Sequence, residues 1–321
     1  MRVRSQGWLL VLLLTSSACV LQRGSEKSGS TPEPAWSDFH WEAWNGFEKA
    51  AMFVPVQWGD TTEVHWLQLD TGSARSVLYR APTGVKGEVR IGGRIGHYRF
   101  ENALFGIAGD AGEMPGSEEG PQLIGTLGLD FLKGRILLLD LPAGRFAILE
   151  GGSELPESVR GKVHFVPLEL RHDKAMIQVQ IGGAPLHLFY DTGASIFSAV
   201  TPMSTWQKLT GRSGHEADNA ALVVPSWGRS VALVGARAAG AMAFSSVAVE
   251  EPLIFCDPAE PPFFDFSSVP PADGLLGNAL FSDGYLVVLD LDGNRFGLTA
   301  SSLTQAAGAG GGAERPLRDR Q

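Results

Sequence analysis

The sequence predicts a mainly β protein built from two homologous lobes. Three observations carry this: the apolar runs are short and broken by turn residues, the 321 residues include 40 glycines and 19 prolines, and four motifs occur twice in one order. Glycine and proline punctuate turns, so the short apolar runs between them read as strands. With 44% hydrophobic and 19% charged residues, the chain can bury a substantial core and is neither disordered nor fibrous.

Residues 1–18 carry Arg2 and Arg4, an apolar run from Trp8 to Leu14, and the small residues Ser16, Ser17 and Ala18 before Cys19. Crossing a bilayer takes about 20 apolar residues, so this run reads as a secretory signal rather than a span. Ala18-Cys19 resembles the lipobox of bacterial lipoproteins, in which the cysteine becomes the acylated N-terminus, although Ser16 replaces the usual leucine. Ordinary signal peptidase could also cut after Ala18, leaving a free thiol. The first cleavage predicts membrane attachment through a lipidated Cys19, at the periplasmic face or cell surface; the second predicts a secreted protein. Cys256 is the only other cysteine, so acylation of Cys19 would leave no disulfide partner. With no CxxC motif and seven scattered histidines, neither a metal site nor a cofactor is expected. The net charge of −9 becomes more negative once the leader arginines are lost, and such a surface repels nucleic acid.

Residues 19–46 are rich in Ser, Gly, Glu and Pro and read as a flexible tether; residues 301–321, with an Ala/Gly run, read as a disordered tail. Between them the chain repeats itself. Phe53-Val54-Pro55-Val56 is echoed by Phe165-Val166-Pro167-Leu168, and each is followed by an apolar strand that runs into Asp-Thr-Gly, at Asp70 and at Asp191. Gly125-Thr126-Leu127-Gly128 is echoed by Gly274-Leu275-Leu276-Gly277. Ile136 to Asp140 with Gly144-Arg145-Phe146 is echoed by Leu286 to Asp290 with Asn294-Arg295-Phe296. The lobes are expected at 47–150 and 164–300, joined by a linker at 151–163. Insertions lengthen the second lobe: a helix near Thr201–Leu209, with Thr201 as cap and Pro202 in the first turn, and the Pro-rich stretch Pro258–Pro271.

One Asp-Thr-Gly reads as a turn, because Asp and Gly both favour turns. Two copies, each at the end of an apolar strand, place two acids where an unpaired charge would be costly. At these residues the sequence resembles the pepsin-like and retropepsin-like aspartic proteases over nearly all of residues 47–300, most closely from Gly274 to Ala300. The resemblance implies two retropepsin-like β-barrel lobes in a pepsin-like pseudo-dimer, with Asp70 and Asp191 as a catalytic dyad that activates a water against peptide bonds. It implies that Thr71 and Thr192 bond across the lobes, that Gly72 and Gly193 let the backbone pass close to the carboxylates, and that the Ser73 hydroxyl supports its acid. Ala194 stands where the second hydroxyl would be, so fewer bonds to the dyad predict an optimum in mildly rather than strongly acid medium.

The Gly-rich run from Ile91 to Tyr98, with Gly92, Gly93, His97 and Tyr98, resembles the retroviral flap; an ordinary tight hairpin is the other reading. Pro225-Ser226-Trp227-Gly228 is the candidate partner turn in the second lobe. Asp140 and Asp290 read as turn or ladder acids, and Asp130 has Ala279 opposite it, which argues against a paired role. The expected partner is a polypeptide substrate met by a monomer. The other function class is a catalytically silent peptide-binding or scaffold protein on the same fold.

Overall fold

The computed structural model describes residues 33–79, 87–108, 122–226, 229–267 and 271–302. Residues 1–18, Cys19 and nearly all of residues 301–321 lie outside the described residues.

The first lobe contains β1 (Ser37–Asp38), β2 (His40–Trp44), β3 (Phe47–Trp58), β4 (His65–Leu69), β5 (Val77–Leu78), β6 (Glu88–Ile95), β7 (Tyr98–Ile107) and β8 (Leu123–Leu127). Six of these close a barrel in the order β3, β4, β8, β5, β7, β6 and back to β3. Closure removes the unpaired edges that an open sheet would expose. The barrel fills because side chains alternate along each strand: Met52, Val54 and Val56 of β3 and Leu67 and Leu69 of β4 are buried inside. A short helix, α1 (Leu129–Leu132), then leads into the hairpin β9 (Arg135–Asp140) and β10 (Arg145–Glu150).

The second lobe comprises β11 (His164–Arg171), β12 (Lys174–Ile181), β13 (Ala184–Tyr190), β14 (Ala199–Val200), α2 (Met203–Thr210), β15 (Ala220–Ser226), β16 (Arg229–Arg237), β17 (Met242–Phe244), β18 (Val247–Val249), β19 (Leu253–Cys256), β20 (Gly274–Leu276), β21 (Tyr285–Asp290) and β22 (Arg295–Ala300). The ring of the first lobe recurs with two long strands each broken in two. The β16/β19 and β17/β18 ladders continue one another, from Arg237 opposite Leu253 to Met242 opposite Val249, where the first lobe has β6 and β7 unbroken. β17 pairs with β12 as β6 pairs with β3, and β19 runs parallel to β14 as β7 does to β5.

The lobes join through six antiparallel strands in the order β1, β10, β9, β21, β22, β11, with β9 and β21 crossing at Leu138 opposite Val288. Asp140 and Asp290 are ladder acids here: Arg145 bonds Asp140 at 3.0 and 2.8 Å, and Arg295 bonds Asp290 at 2.7 Å. Arg145 stacks on Trp36 at 4.5 Å and Arg295 on Phe165 at 4.4 Å.

That matched stacking corrects the register of the repeat. Phe165-Val166-Pro167-Leu168 in β11 is the counterpart of Trp36-Ser37-Asp38-Phe39, since Val166 faces Phe296 as Ser37 faces Phe146. The counterpart of Phe53-Val54-Pro55-Val56 is Met176-Ile177-Gln178-Val179: Val54 faces Leu67 and Ile177 faces Leu188, each three residues before its Asp. Residues 36–46 therefore belong to the fold rather than to the tether. Helix α2 begins one residue later than expected; Pro202 is its N-cap, and the buried Thr201 hydroxyl makes no hydrogen bond. Gly211, at φ 71°, closes the helix in the left-handed conformation that glycine adopts without strain. In the linker, Leu155 and Val159 are buried against the interlobe sheet.

Candidate active site

Each Asp-Thr-Gly follows the end of a strand that is parallel-paired to the strand carrying the second glycine motif. β4 runs beside β8 with Leu69 opposite Leu127, and β13 runs beside β20 with Tyr190 opposite Leu276. The amides of Asp70 and Asp191 donate to the carbonyls of Leu127 and Leu276, at 3.0 and 2.9 Å. The motif glycines pass directly under the acid loops. A Cβ on Gly128 would sit 2.5 Å from the Arg75 carbonyl oxygen, and one on Gly277 would sit 2.1 Å from that of Ala194. Only a residue without a side chain fits there.

The loops are locked to each other by a reciprocal grip. The amide of Thr71 donates to Thr192 Oγ1 at 2.9 Å, and the amide of Thr192 donates to Thr71 Oγ1 at 3.0 Å. Each hydroxyl then donates across the lobes, Thr71 to the Tyr190 carbonyl and Thr192 to the Leu69 carbonyl, both at 2.8 Å. All of these groups are buried, so each bond also prevents an unsatisfied polar atom.

The grip brings Asp70 and Asp191 within hydrogen-bond reach of each other. Gly72 lies against the Asp191 carboxylate and Gly193 against that of Asp70: a Cβ at either would come within 2.4 and 2.7 Å of the opposing carboxyl carbon. Burial is the largest influence on both acids and pushes both upward. Asp191 rises to about 8, with the negative charge of Asp70 as the next cause. Asp70 is raised too, against stabilising bonds from Asp191 and from the amides of Ser73, at 3.0 Å, and Gly72. Asp191 receives the Gly193 amide at 2.9 Å. Two like charges this close cannot both ionise readily, so the pair titrates as a unit.

The supports around the loops differ from expectation. The Ser73 hydroxyl donates to the Arg75 carbonyl at 2.8 Å instead of to its acid, so backbone amides hold Asp70. In the first lobe Asp130 accepts from the Ser76 amide and hydroxyl at 2.8 and 2.7 Å, and that hydroxyl accepts from Gly128. In the second lobe the same task falls to Asn278, which bonds the Tyr190 hydroxyl at 2.7 Å, the Ser195 hydroxyl at 2.9 Å and the Thr192 carbonyl at 3.2 Å. Sequence reasoning missed Asn278, whose signal was a polar residue directly after the glycine of a repeated apolar motif. It also missed Lys174, the first residue of β12, whose ammonium bonds the Gly72 carbonyl.

The hairpin formed by β6 and β7 is anchored by its own contacts to β1, β3 and the hairpin β9–β10. Gly93 packs on the Gln57 backbone, and Gly92 packs on Phe100 and Glu101 within the hairpin. The amide of His97 donates to Ser37 Oγ at 2.8 Å, and the Tyr98 hydroxyl bonds Glu150 and Arg135 at 2.8 and 2.6 Å. These contacts tie the turn to β1 and to the hairpin β9–β10, and its counterpart in the second lobe is the β17–β18 turn at Ser245-Ser246. The expected flap role of Gly92, Gly93, His97 and Tyr98 is thus replaced by a structural one. Pro225 and Ser226 end β15, where they pair with Ser230 and Arg229 of β16 in a different hairpin; Trp227 and Gly228 lie outside the described residues. Among the described residues no cluster of three or more His, Cys, Asp or Glu is placed to hold a metal ion.

No protein-family profile matches the chain, and no curated protein matches it. Solved structures do. An aspartic proteinase from Irpex lacteus is 14% identical, covering 80% of this chain and 96% of its own, with a TM-score of 0.47. Basic 7S globulin from soybean is 13% identical over 85% and 96%, with a TM-score of 0.49. Conglutin gamma, a basic 7S globulin from lupine seeds, is 14% identical over 86% and 97%, with a TM-score of 0.48.

Proposed function

We propose that the chain is an aspartic endopeptidase in which Asp70 and Asp191 share one proton and activate a water against a peptide bond. The observation that carries this reading is the mutual approach of the two carboxylates, each also touched by the glycine of the opposite loop. Two buried like charges are costly, and a fold that spends a reciprocal threonine grip on holding them together has a use for them.

In the reaction, the ionised carboxylate takes a proton from the water as its oxygen attacks the scissile carbonyl carbon. The protonated carboxyl donates to the carbonyl oxygen. Two amides, of Ser73 and Gly72, bond Asp70 and one, of Gly193, bonds Asp191, and the two acids share their proton as a unit. Because burial raises both acids and, among the described residues, no hydroxyl bonds either carboxylate, the optimum should lie in mildly acid medium; an optimum below about pH 3 would contradict this. The apolar run of residues 1–18 supports a secretory reading, in which the reaction takes place outside the cytoplasm and Cys19 is a candidate lipid anchor.

The test is hydrolysis of an unfolded protein substrate from pH 3 to 7 by the parent, Asp70→Asn and Asp191→Asn. Cleavage by the parent that is lost by at least about a thousandfold in both variants supports the reading. A folded parent that binds extended peptides but cleaves none at any pH replaces it with a peptide-binding role.

A further inference from the structure

One charged residue at the dyad belongs to none of the repeated motifs. Lys174 opens β12 directly after the His172-Asp173 turn, where both residues take positive φ, of 43° and 62°. This tight turn fixes where β12 begins and therefore where the lysine side chain emerges. Its ammonium donates to the carbonyl of Gly72 and lies 4.6 Å from the centroid of the Phe189 ring. Gly72 is two residues after Asp70, and Phe189 is two residues before Asp191. The cation is therefore tethered to both acid-bearing segments at once, by a hydrogen bond to the first acid loop and by the ring face of Phe189 on β13, the strand that leads into the second. The side chain is half-buried, where salt screens a charge less than at the surface. Its charge acts on both carboxylates, drawing each down against the burial that raises them.

The other titratable groups that face the pair cannot take this part. Tyr79, just beyond β5, is held neutral by burial and by the negative charge of Asp70 while its hydroxyl shares a 2.5 Å hydrogen bond with Thr126. Tyr190, on β13, is fully buried, also held neutral, and donates to Asn278. Neither phenol brings a positive charge.

We propose that Lys174 is a positioning residue that keeps a single negative charge on the Asp70–Asp191 pair in acid medium and so sets the pH range of the reaction. This inference rests on the aspartic-peptidase reading. Removing the cation should move both limbs of the pH profile upward, because the singly charged pair would form, and lose its second proton, at higher pH.

The experiment compares the pH dependence of kcat/KM for the parent, Lys174→Met, Lys174→Gln and Lys174→Arg, alongside a 13C titration of the Asp70 and Asp191 carboxyls in each folded protein. Lys174→Gln keeps a donor for the Gly72 carbonyl without charge, and Lys174→Arg keeps the charge. Met and Gln should both shift the bell and the carboxyl titration upward by about one pH unit, roughly a tenfold loss at the acid limb, while Arg stays near the parent. An unshifted titration in Met and Gln overturns the inference even if the parent cleaves normally. A shift in Met that Gln lacks also overturns it, since hydrogen bonding rather than charge would then be the cause. A parent that cleaves nothing removes the peptidase reading, while the carboxyl titration still decides whether Lys174 controls the pair.

Discussion

The two acid loops are alike where they face each other and different where they face their own lobes. Across the interface the threonine bonds match within 0.1 Å, 2.9 against 3.0 Å and 2.8 against 2.8 Å, and each glycine meets the other loop's carboxylate. Behind the interface, Ser76 and Asp130 brace the first loop, whereas Tyr190, Asn278 and Ser195 brace the second. The first barrel is continuous, and the second is interrupted between Arg237 and Met242. The difference separates two demands. A shared proton requires symmetric geometry at the contact, while any network that satisfies buried polar groups can hold each loop in place.

The largest effect expected from breaking this symmetry is at its centre. Gly72→Ala places a methyl where the Asp191 carboxylate lies, so turnover should fall by at least about a hundredfold while circular dichroism reports a retained fold. Gly193→Ala should behave alike against Asp70, and kinetics on both variants shows whether the contact is symmetric in function. Next comes the grip. Thr192→Val leaves the Thr71 amide and the Leu69 carbonyl without their buried partner and should cost about 1–3 kcal/mol per orphaned group in urea unfolding. Thr71→Val should cost a similar amount, and the double variant should cost less than the sum because the four bonds act together.

The braces should then prove unequal. Asn278→Leu orphans the Tyr190 hydroxyl in a fully buried site, at about 1–3 kcal/mol. Asp130→Ala, in a half-buried site that water can reach, should cost less by the same assay. The smallest effect is a slope. Burial and the charge of Asp70 push Asp191 up to about 8 in the folded chain from 3.8, so the folded pair binds more protons between those values than the unfolded chain does. Stability from this group is therefore greatest at low pH and falls as pH rises from about 4 to about 8. Asp191→Asn should flatten that decline and melt above the parent at pH 7, as thermal unfolding at several pH values will reveal.

Much of this arrangement is legible in the sequence because it is duplicated. Asp70 and Asp191, the paired glycines at 128 and 277, and the ladder acids Asp140 and Asp290 recur at matched points, and a repeat needs no structural context to be seen. What escaped lacks that redundancy. The start of the repeat at Trp36 was hidden because Trp36-Ser37-Asp38-Phe39 matches Phe165-Val166-Pro167-Leu168 at no position; the ring stacking on Arg145 and Arg295 and the register against Phe146 and Phe296 equate them. The glycines at 92 and 93 suggested a flap, but their small size serves packing against Gln57 and Phe100. Lys174 was invisible because its relation to Gly72 is made across lobes by residues 102 positions apart. Ser73 carried the expected hydroxyl, yet the Arg75 carbonyl captured it. Local competition of that kind is decided by loop geometry rather than by residue type.

The central claim is that the buried pair holds one proton. Titrating the 13C-labelled aspartate carboxyls of the folded protein from pH 2 to 9 tests it without relying on any substrate. The account predicts that Asp70 and Asp191 titrate together in two separated steps, with one proton retained near pH 6, and that Asp191→Asn abolishes the upper step. Two carboxyls that both ionise independently near pH 4 would contradict it.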